Sequence, residues 1–293
     1  LLDGKRVSEF ESNSARALLA LLASEPGRPR VRAVVAEMLW PERRQGAALS
    51  NLRHALTSIR RALGGPDAAA PFLLADRTTV ALAASDEVWV DVVALAEMAS
   101  AAADEPGCIE AWERAAMLWR GPLLEDITVH AGAEWEEWLL LTNERAHRQV
   151  CDALRSASVC SERTGDIDRA LHHALRLAEL DPWDERSQRA VLRLIAATGD
   201  DAGALAYFED FRSRLREELG ADPAPDTSAV AERIRAGEAQ LIASRPVVVY
   251  PDFLTTEPQA PGGAPFVDQV AELSFLERHF AAARAGAGRT VLV

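Results

Sequence analysis

The residues with recognition chemistry gather between Arg43 and Arg77. Ser50, Asn51, Arg53, His54, Thr57, Ser58, Arg60 and Arg61 stand among Leu49, Leu52, Leu56, Ile59 and Leu63, whose spacing marks one helix with one apolar seam. At about 100° per residue that seam leaves Ser50, Asn51, His54, Thr57, Ser58 and Arg61 turned outward, with Arg53 and Arg60 on its flanks. Arginine can bond guanine through two parallel donors, and asparagine pairs with adenine in the same bidentate way. Hydroxyls and imidazole reach either bases or backbone. The same face also fits an ordinary solvated, salt-bridged helix. Arg43 and Arg44 precede the helix. Arg77 falls in the polar turn Asp76-Arg77-Thr78-Thr79, between Phe72-Leu73-Leu74-Ala75 and Val80-Ala81-Leu82-Ala83, which read as two short strands. At such a tip, and ahead of such a helix, these three arginines are expected on phosphates or in a minor groove.

The elements needed to hold that face are legible on both sides of it. Ala15, Leu18, Leu19 and Leu22 fall at helical spacing, and Val31, Val34, Val35 and Met38 repeat the pattern, so two more amphipathic helices are expected, separated by the breaker Glu25-Pro26-Gly27. Gly64-Gly65-Pro66 stops the third. Three helices followed by a hairpin are the order of a winged helix-turn-helix DNA reader.

Other chemistry is weaker. Glu134, Glu136 and Glu137 crowd a helix start, where carboxylates favour the macrodipole, and nothing nearby completes an acid-base pair. His147 and Cys151, four apart, supply two metal ligands, which is half a site, and the adjacent His172 and His173 diverge on a helix. Neither an enzyme nor a metal or cofactor site is expected.

Net charge is −13 and pI about 5.0, against indiscriminate coating of nucleic acid. The charge is unevenly placed. Residues 1–65 hold eleven basic and six acidic side chains, a balance of +5, which leaves −18 for the remainder. A basic head on an acidic body suits a sited regulator. The three cysteines show no C-x-x-C spacing, and no apolar run approaches the roughly 18 residues of a membrane helix, so a cytoplasmic location without membrane contact is expected.

Several phrases are specific. Ser14-Ala15-Arg16-Ala17-Leu18-Leu19, Glu37-Met38-Leu39-Trp40-Pro41, Ser50-Asn51-Leu52-Arg53-His54-Ala55-Leu56, Ile59-Arg60-Arg61-Ala62-Leu63-Gly64 and Val88-Trp89-Val90-Asp91 together resemble the SARP family of bacterial pathway-specific activators. Trp119-Arg120-Gly121-Pro122-Leu123-Leu124, Trp138, Glu144-Arg145, Gly165-Asp166 and Leu180-Asp181-Pro182 are similar to that family's bacterial transcriptional activation domain. The resemblance implies a winged helix joined to this domain, binding to tandem repeats in double-stranded promoter DNA, self-association there as a homodimer or tandem copies, and contact with RNA polymerase holoenzyme. It also implies regulation of a pathway such as antibiotic synthesis. The start departs from the pattern, since Leu1-Leu2-Asp3-Gly4 looks like the middle of the family's opening sheet.

From Asp91 the pattern is almost wholly helical. Thr164-Gly165-Asp166 recurs as Thr198-Gly199-Asp200 and Ala170-Leu171 as Ala204-Leu205, both 34 residues on, the tetratricopeptide period. A further helix pair over roughly residues 135–161 is expected before these. Gly121-Pro122 forces a turn after Trp119. The fold class is therefore mainly α, a winged helix-turn-helix domain followed by an all-helical tetratricopeptide-like domain. The expected divisions are 1–86, 87–243, a linker at 244–265 whose proline-rich character extends back to Pro225, and 266–293. This last segment resembles the opening of an ATPase module and contains no G-x-x-x-x-G-K-[ST], so nucleotide binding is not expected. Two functions fit: a DNA-binding activator that recruits polymerase, or a regulatory scaffold acting through protein or ligand binding by the helical repeats.

Overall fold

The computed structural model describes residues 10–104 and 109–238. The expected opening sheet, the linker at 244–265 and the segment 266–293 lie outside the described residues. Helix α1 (Asn13–Ala23) starts where Ser12 Oγ accepts the Ala15 N–H at 3.2 Å, and it buries Ala15, Ala17, Leu18, Leu21 and Leu22. The chain turns through Gly27, whose φ of 80° suits glycine. A two-residue strand follows, β1 (Arg30–Val31), and then α2 (Arg32–Leu39). Helix α3 (Gln45–Ala62) ends at Gly64 and Gly65, both at positive φ, whose N–H groups return to the carbonyls of Arg61 and Arg60. One short helix, α4 (Pro66–Ala69), precedes β2 (Leu73–Ala75) and β3 (Thr79–Leu82). The antiparallel sheet has the order β1-β3-β2.

Two corrections concern this region. Val31 belongs to β1, opposite Thr79, instead of to a helical stripe. Val34 is 62% exposed, and the buried face of α2 is Val35, Ala36, Met38 and Leu39. Pairing with β3 holds Val31 extended, so the helix begins at Arg32.

The rest is helical: α5 (Asp91–Asp104), α6 (Ile109–Met117), α7 (Ala133–Arg163), α8 (Ile167–Leu180), α9 (Glu185–Ala197), α10 (Asp201–Leu219) and α11 (Pro225–Arg235). The recurrent turns have one job. Gly165 and Gly199 take positive φ, and Asp166 and Asp200 cap α8 and α10 by accepting the N–H of Arg169 at 3.1 Å and of Gly203 at 2.8 Å. They sit inside the pairs α7–α8 and α9–α10. The helix pair expected at 135–161 is instead the single helix α7, which contains no glycine or proline to break it. Pro225, read with the linker, opens α11, where its missing N–H costs nothing. Alanines 153, 157, 170 and 174 are fully or nearly fully buried and let the helices approach closely around Leu154, Leu177, Val191 and Leu194.

The winged helix and the helical block share a core. Trp135, on the first turn of α7, is 3% exposed in the same cluster as Leu18, Leu39 and Leu52, with Leu124, Val129 and Trp138 packed against it. The Gly132 N–H donates to Met38 O at 2.8 Å, and Asn13 Nδ2 donates to Thr128 O at 3.1 Å.

Candidate nucleic-acid interface

The apolar seam of α3 is Ala48, Leu52, Ala55, Leu56 and Ile59, all buried. Opposite it, Arg53, His54, Thr57 and Arg61 are exposed, and Ser50 is half-buried beside them. These five lie within about 100° of arc at 100° per residue. Asn51 and Arg60 are half-buried on the two shoulders. Ser58 is a correction: it is 2% exposed, and its Oγ accepts the Glu11 N–H at 3.1 Å. It lies on the shoulder of the seam that the chain leading into α1 crosses, so its hydroxyl faces protein.

The outward side chains differ in what already occupies them. Arg61 pairs with Glu11 across the end of the helix, and the Thr57 hydroxyl donates to Arg53 O at 2.9 Å while keeping its acceptor lone pairs open. Arg43, Arg44, Arg53, Arg60 and Arg77 have no carboxylate partner among the described residues, whereas Arg28 and Arg30 both bind Glu25. The N-terminus of α3, preceded by the exposed Arg43 and Arg44, has no acidic residue in its first turn to offset the positive end of the dipole. Positive potential is therefore concentrated at one end of α3 and along its outer face.

The wing tip is organised by a residue that sequence reasoning treated only as part of a polar turn. Asp76 Oδ1 accepts the N–H groups of Thr78 and Thr79, both at 2.6 Å, and its two oxygens accept both threonine hydroxyls. Those bonds, led by the Thr79 N–H, hold the carboxyl far below the usual carboxylate range. Arg32 Nη1 donates to Asp76 O at 2.9 Å and ties the tip to α2. With its backbone set in this way, the turn leaves Arg77 exposed. The signal was present as an Asx-turn pattern, Asp-x-Thr-Thr.

His147 and His173 are both bonded to protein groups. His147 Nε2 donates to Leu180 O at 3.2 Å, and burial pushes the Cys151 thiol up to about 11, so it carries no thiolate near neutrality. His173 is 5% exposed, with Nε2 2.8 Å from Glu113 Oε1, and Arg169 grips the same carboxylate at 2.8 and 2.7 Å. No helix among the described residues is long and apolar enough to cross a membrane.

Comparison with known proteins bears on the helical block and the fold. The family model described as Bacterial transcriptional activator domain matches residues 87–235, just over half of the chain. The chain is 26% identical over 246 residues to Regulatory protein AfsR of Streptomyces griseus, which covers 81% of this chain and 24% of that protein. It is 27% identical over 245 residues to Regulatory protein AfsR of Streptomyces coelicolor, covering 78% and 23%. It thus spans about a quarter of the length of these curated relatives. The solved structure of Mycobacterium tuberculosis EmbR in complex with a low affinity phosphopeptide aligns with a TM-score of 0.57 at 21% identity, over 82% of this chain and 64% of that one, a likeness of fold.

Proposed function

The chain belongs to the bacterial transcriptional activator domain family as a SARP-type transcriptional regulator, and on that premise we propose that it binds promoter DNA through α3 and the wing. The observation that carries this is the single outward face of α3 with Ser50, Arg53, His54 and Thr57, flanked by arginines that no carboxylate of the described protein neutralises. Arg53 and Thr57 read base edges, with Ser50, Asn51 and His54 beside them and Arg61 at the far end of the helix. Arg43, Arg44 and Arg77 bind phosphates, and Arg60 stands on the shoulder between helix and wing. Ser58, buried with its hydroxyl on the Glu11 N–H, takes no part in this contact. Two copies occupy tandem repeats, the helical block recruits RNA polymerase holoenzyme, and the regulated genes belong to one pathway of secondary metabolism.

Footprinting with the purified chain on DNA upstream of its neighbouring genes tests the reading. Expected is protection of a repeated element whose affinity falls with salt at a slope near −3 per copy, about 0.9 for each of three phosphate contacts. Uniform, unprotected cleavage at every salt concentration down to about 0.01 M, where the Debye length is about 30 Å, refutes DNA reading by this chain.

A further inference from the structure

The helical block carries a second cationic site, far along the chain from α3. A cavity of about 310 Å³ opens between α7, α8 and α9, with Val230 of α11 at its edge, and is lined by Leu177, Val159, Arg155, Arg186, Arg189 and Arg193. Two of these cations are satisfied. Arg193 pairs with Glu162 at 3.1 Å, and Arg155 pairs with Asp152 at 2.7 Å and Asp184 at 3.6 Å. The Arg189 side chain only donates to the Thr227 hydroxyl, at 3.1 Å, and the exposed Arg186 side chain has no partner among the described residues. Residues 66–293 carry −18, so carboxylates are plentiful in this part of the chain, yet these two guanidinium groups form no ion pair, and the carboxylate that lines the groove, Glu162, is taken by Arg193. Val159, 41% exposed, adds apolar surface to the same groove.

We propose that this groove binds an extended, acidic peptide segment of a partner protein, with carboxylates on Arg186 and Arg189 and an apolar residue against Val159 and Leu177. Arg186, Arg189 and Arg193 follow one another on neighbouring turns of α9, about 4.5 and 6 Å apart along its axis at 1.5 Å per residue. An extended chain presents alternate side chains about 6.6 Å apart, a gap that long arginine side chains on neighbouring helical turns can span. Two carboxylates two residues apart therefore meet two arginines, and the residue between them turns to the opposite wall. Guanidinium is weakly hydrated and grips carboxylates through paired donors, which suits a partly enclosed groove. A DNA duplex fits less well, because it offers phosphates on a convex surface, whereas these arginines rim a recess with an apolar floor. The site does not depend on DNA reading by α3.

Fluorescence anisotropy without DNA tests it, using the full chain and a dye-labelled peptide with Glu-Leu-Glu-Leu-Glu at its centre between serines. Expected is saturable binding at one peptide per chain, lost when glutamine replaces each glutamate. Arg186→Glu weakens it about tenfold or more, because an attraction becomes a repulsion. That substitution is safe for the fold, since the side chain is exposed and unpaired and an acid favours the first turn of α9. Val159→Asp weakens it as well, and Arg53→Ala leaves it unchanged. The proposal is overturned by no saturation up to about millimolar peptide, by equal binding of the glutamine peptide, or by indifference to Arg186→Glu. It is also overturned if a random duplex displaces the peptide and proves the tighter ligand of this groove.

Discussion

Replacing Trp135 with alanine tests the claim that the winged helix and the helical block are stabilised through one core. The indole is 3% exposed and belongs by sequence to α7, while its buried neighbours include Leu18, Leu39 and Leu52 of α1, α2 and α3. Losing roughly 150 Å² of buried apolar surface at about 25 cal/mol per Å² costs about 4 kcal/mol, inside the range of about 3 to 5 for removing a buried tryptophan. In a folded body of this size each kcal/mol lowers Tm by about 2 to 4 °C, so a fall on the order of 10 °C is expected by calorimetry. Amide exchange locates the damage: protection should fall in α1 to α3 as well as in α7. Trp89→Ala is the control, because that ring is 64% exposed and should shift stability by no more than about 0.5 kcal/mol. A Tm change under about 3 °C for Trp135→Ala, or exchange confined to α7, would falsify the shared core.

Three further outcomes are expected. Arg53→Ala should cost roughly 1 to 3 kcal/mol on the preferred operator and relax one base position, whereas Arg77→Ala should weaken all sequences alike and flatten the salt slope by about 0.9; filter-binding titrations across salt separate the two, and identical behaviour contradicts the assignment. Burial holds the His173 imidazole below its ordinary 6.5, against the opposing pull of Glu113 and with Arg169 and His172 also disfavouring its charge, so the unfolded chain gains a proton that the folded one resists. Stability should therefore be level above pH 6.5 and fall below it, and urea midpoints of His173→Gln should lack that fall. Bonding from Arg169 keeps Glu113 ionised below its ordinary 4.5, a contribution present above that pH and lost on further acidification. Ending the chain after Leu180 strips Val191 and Leu194 from the alanine face of α8, and the product should aggregate or melt without cooperativity; a monomer with a sharp transition would count against the stack.

Local pattern carried most of the secondary structure. Apolar spacing and the breakers at Gly27, Gly64-Gly65 and Gly165 located α1, α3 and the repeat turns, and two short apolar runs on either side of the polar turn at Asp76 to Thr79 located the hairpin. What escaped depends on partners distant in sequence. Two residues of β1 have no period of their own and exist because β3 pairs with them. Ser58 turns inward because Glu11 crosses it, and Arg61 loses part of its availability to the same residue. Helix α7 looked divisible because a 34-residue period was carried backward past Thr164, although no breaker stood between Ala133 and Arg163. The arginine groove was invisible because its walls come from helices whose adjacency only the folded stack creates.

That unbroken α7 has a consequence for how such a protein tolerates change. Its 31 residues make a rod about 46 Å long, buried at one end among the helices of the winged-helix domain and at the other among α6 and α8. One residue added midway, near Leu141, would advance everything beyond it by about 1.5 Å and rotate it by about 100°, tearing one of the two interfaces. Seven residues return the phase to within about 20° but lengthen the rod by about 10 Å. Length change in α7 is thus quantised by helix geometry, and the exposed stretch around Leu140 and Leu141 acts as a fixed gauge between the winged helix and the helical block.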